Sequence, residues 1–412
     1  MTNYINFIRW AKENGAVFSD LTLNTYNNGE RGIHANKGLR KGTCVIKIPL
    51  KIIIHDGMGE QTPYGLLLKK YAHLFNNFKI LMVIIYILTT NIKNNFFKPY
   101  YDILPKNTEN FPIFWENNQL LMLKGSNIIS EILLRQKIIL RDYENICKII
   151  PEFKKKFSIR DFLWVRTVVG SRNFGIDINN IHRVAMIPLS DMLNHDPNPD
   201  VRWFFDPKDN YFKMVGNRYI KKNVAVTDTY GSKSNLKYLL FYGFTIPDNN
   251  NDVIFINIEH GKTNKQLKDR LKPYVKGYLD RNVNTLFFEE LLAFFRISVS
   301  PKHILERELY LDFYKTPYSI ESELLCLKAF GVYLKTVLQS YKYFFSKGNS
   351  KNRENIEKFS NTWNAYNLVM GEIAIINFYL KIINAGEKIL KRQDLNYLNN
   401  DYLFSLVNYV NS

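Results

Sequence analysis

Ile187-Pro188-Leu189-Ser190-Asp191-Met192-Leu193-Asn194-His195 opens a stretch that closes with Thr229-Tyr230-Gly231-Ser232-Lys233-Ser234-Asn235 and Tyr242-Gly243-Phe244. In the first segment an apolar run stops at a compact polar cluster. Between the two, Val201–Phe205 and Tyr211–Val215 are β-type runs flanking Asp206-Pro207-Lys208-Asp209-Asn210, a hairpin signal. The spacing puts two polar clusters at strand ends in a small sheet, where loops carry chemistry.

The 412 residues allow two or three domains, and 46% hydrophobic with 15% aromatic content fits a folded chain. Cys44, Cys147 and Cys326 lie far apart without CxxC spacing, which indicates a reducing compartment and excludes a cysteine zinc site. The net charge of +18 suits acidic partners or nucleic acid, but A/T-biased codon usage also produces a chain rich in Lys, Asn and Ile. No arginine-rich arm or zinc-finger spacing supports nucleic acid. The N-terminus lacks a signal-peptide core, and Ile80–Leu88 is far shorter than the roughly 20 residues that span a bilayer. The expectation is a soluble monomer, cytoplasmic or nuclear, without membrane insertion.

Along the chain, Tyr4–Asn14 reads as an amphipathic helix closed by Gly15. Gly29-Glu30-Arg31-Gly32 reads as a tight turn into β-type runs around Ile33 and Val45–Ile48, separated by a turn at Lys41-Gly42. From Tyr64 to about Phe174 the period is helical. There Phe78–Ile92 is apolar on most faces, and Ser158-Ile159-Arg160-Asp161 is a capping box whose helix runs to Arg172, with Gly175 as its stop. After Ile254–Ile258 the chain reads as helical, including the basic run Lys262–Lys276. The polar run Asp248–Asp252 is taken as the domain boundary.

The two polar clusters, "PLSDMLNH" and "TYGSKSN…YGF", resemble the catalytic half of SET-domain protein methyltransferases. The branch is the one with the Rubisco large-subunit lysine methyltransferase and the actin-histidine methyltransferase. Arg31-Gly32-Ile33-His34-Ala35, Lys98-Pro99-Tyr100-Tyr101-Asp102-Ile103-Leu104-Pro105, Ser171-Arg172-Asn173-Phe174 and Leu291-Leu292-Ala293-Phe294-Phe295-Arg296 match in the same order. The resemblance implies an α+β fold. Residues 1–250 would be a SET domain of small twisted sheets with a helical insertion at about 57–175, and residues 251–412 an all-α substrate-binding domain. It also implies S-adenosylmethionine as methyl donor and a protein substrate docked on the C-terminal domain, with Lys265 and Lys268 expected to contribute.

Methyl transfer from a sulfonium is an in-line displacement that needs alignment, exclusion of water and a neutral nucleophile, and no metal. The absence of HExxH, GxSxG and GxGxxG patterns agrees with that chemistry. By the resemblance, Tyr230 is the catalytic residue, its hydroxyl aligning methyl and nitrogen. Gly29, Glu30, Arg31, Arg172, Asn194, His195 and Tyr230 would line the donor, with Asn194 on its amino-acid part and the His195 backbone on its adenine. Arg172, Phe174, Asp191, Trp203, Tyr230 and Tyr242 would line the substrate. Three positions favour a lysine acceptor: Phe174 in place of Asn, Tyr242 in place of a small residue, and Ser190 in place of Trp. Gly29, His34 and Ile176 depart from residues used elsewhere in the branch, and Asp196–Asp200 is a shorter connection than in the plant enzyme. Two alternatives stand beside lysine methylation: a histidine acceptor, and a catalytically silent SET fold that binds a partner through basic helices.

Overall fold

The computed structural model describes residues 2–18, 20–26, 31–272, 274–311, 317, 319–346 and 353–392. Two compact units emerge: Met1–Glu109 with Leu133–Ser232, and Asn110–Ile132 with Lys233–Ser412. The sequence expectation placed the break between residues 250 and 251. The polar run there is no linker, because Asn249 and Asp252 are buried. Asp252 accepts the backbone N–H of Asn235 at 2.6 Å and its side-chain amide at 2.9 Å, which ties the run to the start of the helix Asn235–Tyr242.

The first unit opens with the helix Thr2–Glu13, which buries Phe7, Trp10 and Ala11. Four small sheets follow. β1 (Leu21–Thr25) pairs antiparallel with β2 (Arg31–Ala35). β3 (Cys44–Pro49), β9 (Tyr211–Gly216) and β8 (Val201–Asp206) form a three-stranded sheet in that order. β4 (Ile54–His55), β6 (Ile181–Met186) and β5 (Asn173–Ile178) form another. β7 (Asn194–His195) pairs parallel with β10 (Thr227–Asp228). Arg31 and Gly32, expected in a turn, already belong to β2.

Between β4 and β5 lies the helical insertion. Phe78–Thr90 starts where the Asn77 side chain accepts the N–H of Ile80, and its centre is buried from Leu81 to Ile85. It packs so closely that a Cβ at Gly59 would lie 1.9 Å from the Met82 carbonyl oxygen. The capping box at Ser158 forms as expected: Ser158 Oγ accepts from Asp161 N, and the Asp161 carboxylate accepts from Ser158 N. The helix runs Ile159–Arg172 and hands over at once to β5, so Gly175 is a strand residue opposite Val184 and not a helix stop. The hairpin at Asp206–Asn210 also forms, with Lys213 Nζ 2.7 Å from Asp206 and 2.8 Å from Asp209.

The second unit is helical around one antiparallel pair, β11 (Ile254–Glu259) and β12 (Tyr274–Leu279), where the sequence expectation was all-α. β12 alternates, with Val275 and Leu279 buried against exposed Tyr274, Lys276 and Tyr278. Its core joins Phe288, Phe330 and Tyr379 from Thr285–Val299, Ile320–Ser340 and Asn361–Lys391. Arg296 donates two hydrogen bonds to Glu323, at 2.7 and 2.8 Å, with both side chains buried. By length and composition Asn361–Lys391 could cross a membrane, but 56% of its apolar window is buried inside the protein. It also carries buried Asn364, Asn367 and Glu372 facing polar partners, as the core helix of a globular unit does. Lys268, expected to dock a substrate, is buried and donates to the Ser298 carbonyl at 2.7 Å. Lys265 is partly exposed, 3.2 Å from Asp269.

Candidate active site

The two polar clusters are laid side by side by the two-residue parallel ladder, which sets Asn194 against Thr227 and His195 against Asp228. Asp200 locks it from the flank. Its carboxylate accepts Thr227 N at 3.0 Å, Thr227 Oγ1 at 2.9 Å and Arg218 Nε at 2.7 Å. Two residues further on, Tyr230 donates its backbone N–H to His195 Nδ1 at 3.0 Å, and the two rings stack at 5.2 Å. A backbone N–H can only donate, so in the neutral ring this bond assigns the proton to Nε2. The Tyr230 hydroxyl donates to the Leu193 carbonyl at 2.8 Å, which fixes the ring between the two clusters. Gly231 then turns the chain at φ +88°, a conformation that suits glycine.

On the other side of Leu193 the backbone is strained. Leu189, 1% exposed, has φ +69° and ψ −47°, a γ-turn conformation that costs a non-glycine residue about 1–3 kcal/mol. That turn directs Ser190–Met192 into a short 3₁₀ segment whose middle residue is Asp191. Arg172 Nη1 donates to the Asp191 carbonyl oxygen at 2.5 Å and lies 3.6 Å from carboxylate Oδ2. Tyr100 donates its hydroxyl to the same Oδ2 at 2.9 Å. Asp191 Oδ1 and Ser190 Oγ are buried with no hydrogen-bond partner among the described residues. Burial raises the Asp191 pKa, while the charges of Arg172 and Arg31 and the Tyr100 hydroxyl oppose that rise.

Arg31 comes from β2. Its guanidinium donates to Tyr4 Oη at 3.2 Å and to the Ile103 carbonyl at 2.5 Å. Burial and the like charge of Arg172 lower its pKa. Two guanidiniums thus share one carboxylate, a surplus of positive charge that suits an anionic group. Asn194 bridges the same strand, its amide donating to the Arg31 carbonyl at 2.9 Å. Arg31, Arg172, Asp191, Asn194, His195 and Tyr230 are therefore one connected network. Gly29 and Glu30 lie outside the described residues.

Phe174 and Trp203 are brought together in an aromatic wall. Their rings meet edge-to-face at 5.3 Å, and both pack on the buried Phe212, at 5.4 and 5.6 Å. Tyr242 belongs to the second unit, at the end of Asn235–Tyr242. There it neighbours Tyr238 and Phe244, and burial raises its hydroxyl pKa. His34 is engaged by its surroundings, with Nε2 2.8 Å from Tyr26 Oη and Nδ1 3.2 Å from the Asn223 carbonyl. Ile176 is buried in β5.

The sequence reading assigned no role to Tyr4, Tyr100 or Asp228. Asp228 is buried with Oδ1 unpartnered, and burial pushes its carboxyl up to about 6. Its place one residue before Thr229-Tyr230 was the available signal; for Tyr100 it was the Lys98–Pro105 segment.

Residues 30–231 match the family model described as the SET domain. Human actin-histidine N-methyltransferase is 22% identical over 324 residues, covering 74% of this chain and 54% of that protein. The Otolemur garnettii protein of the same name is 23% identical over 328 residues, covering 75% and 55%. The chain spans about half the length of these curated relatives. Among solved structures, the SET domain of LSMT bound to lysine and AdoHcy superposes with a TM-score of 0.77 at 18% identity, covering 98% of this chain and 99% of that one. Rubisco LSMT bound to sinefungin and monomethyllysine gives 0.75 at 19% identity, covering 98% and 100%. The fold is shared with these structures over nearly the whole chain, and the matched stretch ends at Gly231, one residue before the first unit does; the chain carries a SET domain at residues 30–231.

Proposed function

We propose that the chain is a protein methyltransferase that uses S-adenosylmethionine and methylates a lysine side chain. The observation that carries this reading is the network in which Tyr230, His195 and Asn194 meet two guanidiniums sharing one carboxylate. When bound, the donor supplies an electrophilic methyl on a sulfonium. The residues fit such a group: the surplus positive charge of Arg31 and Arg172 matches its carboxylate, and Asn194 and the His195 backbone would hold the rest. Solved SET structures of similar fold are described as bound to AdoMet or AdoHcy, which supports the same donor.

The chain's own residues would do three things. The Tyr230 hydroxyl, fixed by the Leu193 carbonyl, orients the incoming nitrogen. The Phe174–Trp203–Phe212 wall would exclude water and so desolvate an incoming ammonium, and the donor's sulfonium would add like-charge repulsion. An ammonium with an ordinary pKa of about 10.4 is therefore driven toward its neutral, nucleophilic form. Phe174 carries no group that could hydrogen-bond an imidazole, which favours lysine over histidine. Histidine is the second reading, favoured by the names of the curated relatives.

The substrate is a protein that docks on the helical second unit. The test is incubation of the purified chain with methyl-labelled donor and cell extract, followed by mass spectrometry of labelled peptides. Label on a lysine is expected; label on an imidazole in the preferred substrate overturns the lysine assignment, and no label with no donor binding overturns the enzyme.

A further inference from the structure

Tyr100 is fully buried on the short helix Lys98–Tyr101, its ring 6.1 Å from Phe7 of the first helix. Nothing in that hydrophobic setting requires a hydroxyl, yet the hydroxyl reaches Asp191 Oδ2 at 2.9 Å. Among the described residues it is the only side chain that donates a hydrogen bond to this carboxylate. Arg172 gives its hydrogen bond to the Asp191 backbone carbonyl and stands 3.6 Å from Oδ2, a charge contact beyond hydrogen-bond range. Burial and the neighbouring carboxylate raise the Tyr100 pKa well above its ordinary value, so the group remains a donor at every working pH.

We propose that Tyr100 is a positioning residue of the site: its hydroxyl holds the Asp191 carboxylate in one orientation against Arg172, and so sets how much of the Arg172 charge faces the ligands. The charged groups around Asp191 are Arg172 from the helix Ile159–Arg172 and Arg31 from β2, with Tyr100 as the third titratable neighbour. The two arginines repel each other across the carboxylate. If the carboxylate protonates or rotates, two uncompensated guanidiniums face each other, and the bond to the Asp191 backbone carbonyl is left to hold Arg172 against that repulsion. A hydrogen bond to a buried charged group is worth enough to move its titration by about one pH unit.

The inference rests on the methyltransferase reading only for its kinetic readout, so the experiment has two arms. In Tyr100→Phe, which keeps the ring on Phe7, the acid limb of the methyl-transfer pH profile should move up by about one unit. The rate should fall about tenfold below the wild-type limb and converge with wild type at alkaline pH. In an Asp191→Asn background the same change should have no pH-dependent effect. The second arm needs no activity: the Asp191 carboxyl carbon, followed by NMR in aspartate-labelled protein and assigned by Asp191→Asn, should titrate higher in Tyr100→Phe. If that variant fails to fold, 3-fluorotyrosine incorporation supplies a stronger donor and should move the same resonance to lower pH. A loss equal at all pH values, or an unmoved carboxyl titration, overturns the proposal. An inactive wild type with a shifted titration would remove the methyltransferase reading and leave the positioning role standing.

Discussion

Two buried carboxyls, one in each unit, are held in opposite ways. Asp191 sits beside two guanidiniums and accepts one tyrosine hydroxyl, and its Oδ1 has no partner among the described residues. Glu372 has no cation beside it among the described residues. Ser126 and Tyr341 donate hydroxyls to its two oxygens, each at 2.8 Å, and burial pushes its carboxyl up to about 8. Glu372 has both oxygens hydrogen-bonded and its pKa raised by burial, whereas Asp191 lies beside two cations and has an oxygen without a hydrogen-bond partner among the described residues. An unsatisfied buried acceptor costs about 1–3 kcal/mol. The contrast separates a carboxyl held by hydroxyls within a core from one set between two guanidiniums.

The sharpest way to break the contrast is to unpair a buried charge in the core. Glu323→Ala leaves Arg296 buried without its carboxylate, and urea unfolding should show a loss of about 3–5 kcal/mol. On the site side, Tyr230→Phe loses the bond to the Leu193 carbonyl. Turnover should drop about a hundredfold, as expected for a misplaced reacting group, with donor affinity by calorimetry within about twofold. Equal losses in both would assign Tyr230 to binding instead.

A gentler test uses pH. The folded-state pKa of Glu372, about 8, lies above the ordinary glutamate value of about 4.3, so the folded chain binds a proton that the unfolded chain has released. Its stabilising contribution is complete below about pH 4.3 and fades as pH rises toward 8. Urea titrations at stepped pH should show that slope, and Glu372→Gln should flatten it. The smallest effect is expected at Lys265. Lys265→Glu should raise the apparent substrate constant only a few-fold at low salt, and not at high salt.

The sequence disclosed whatever is encoded within a few residues. The Asp206–Asn210 hairpin, the Ser158 cap and the paired polar clusters were all legible because turn chemistry, capping and strand alternation are local. Tyr100 was not, since its partner lies 91 positions away and no periodicity links them. Lys268 was misread for another reason. It is the buried residue of the helix Lys265–Leu271, and a count of basic residues cannot show which of them points inside. In β12 the alternation of Val275 and Leu279 was present but hidden behind the lysine-rich composition of the run.

The hydrogen bond from Asn194 to the Arg31 carbonyl spans 163 positions. Similar long-range pairings tie His34 to Ala225 and Leu39 to Ile220. A nascent chain therefore carries its first arginine of the site long before the segment that receives it has been made. Closing so large a loop is slow and entropically costly. Until Thr227–Tyr230 emerges, β2 presents an edge without its last partners, the kind of surface on which chaperones act. A half-made chain therefore lacks the pairing of Arg31 with Asn194, and the ladder of Asn194 and His195 with Thr227 and Asp228, until residues 194–228 have been made.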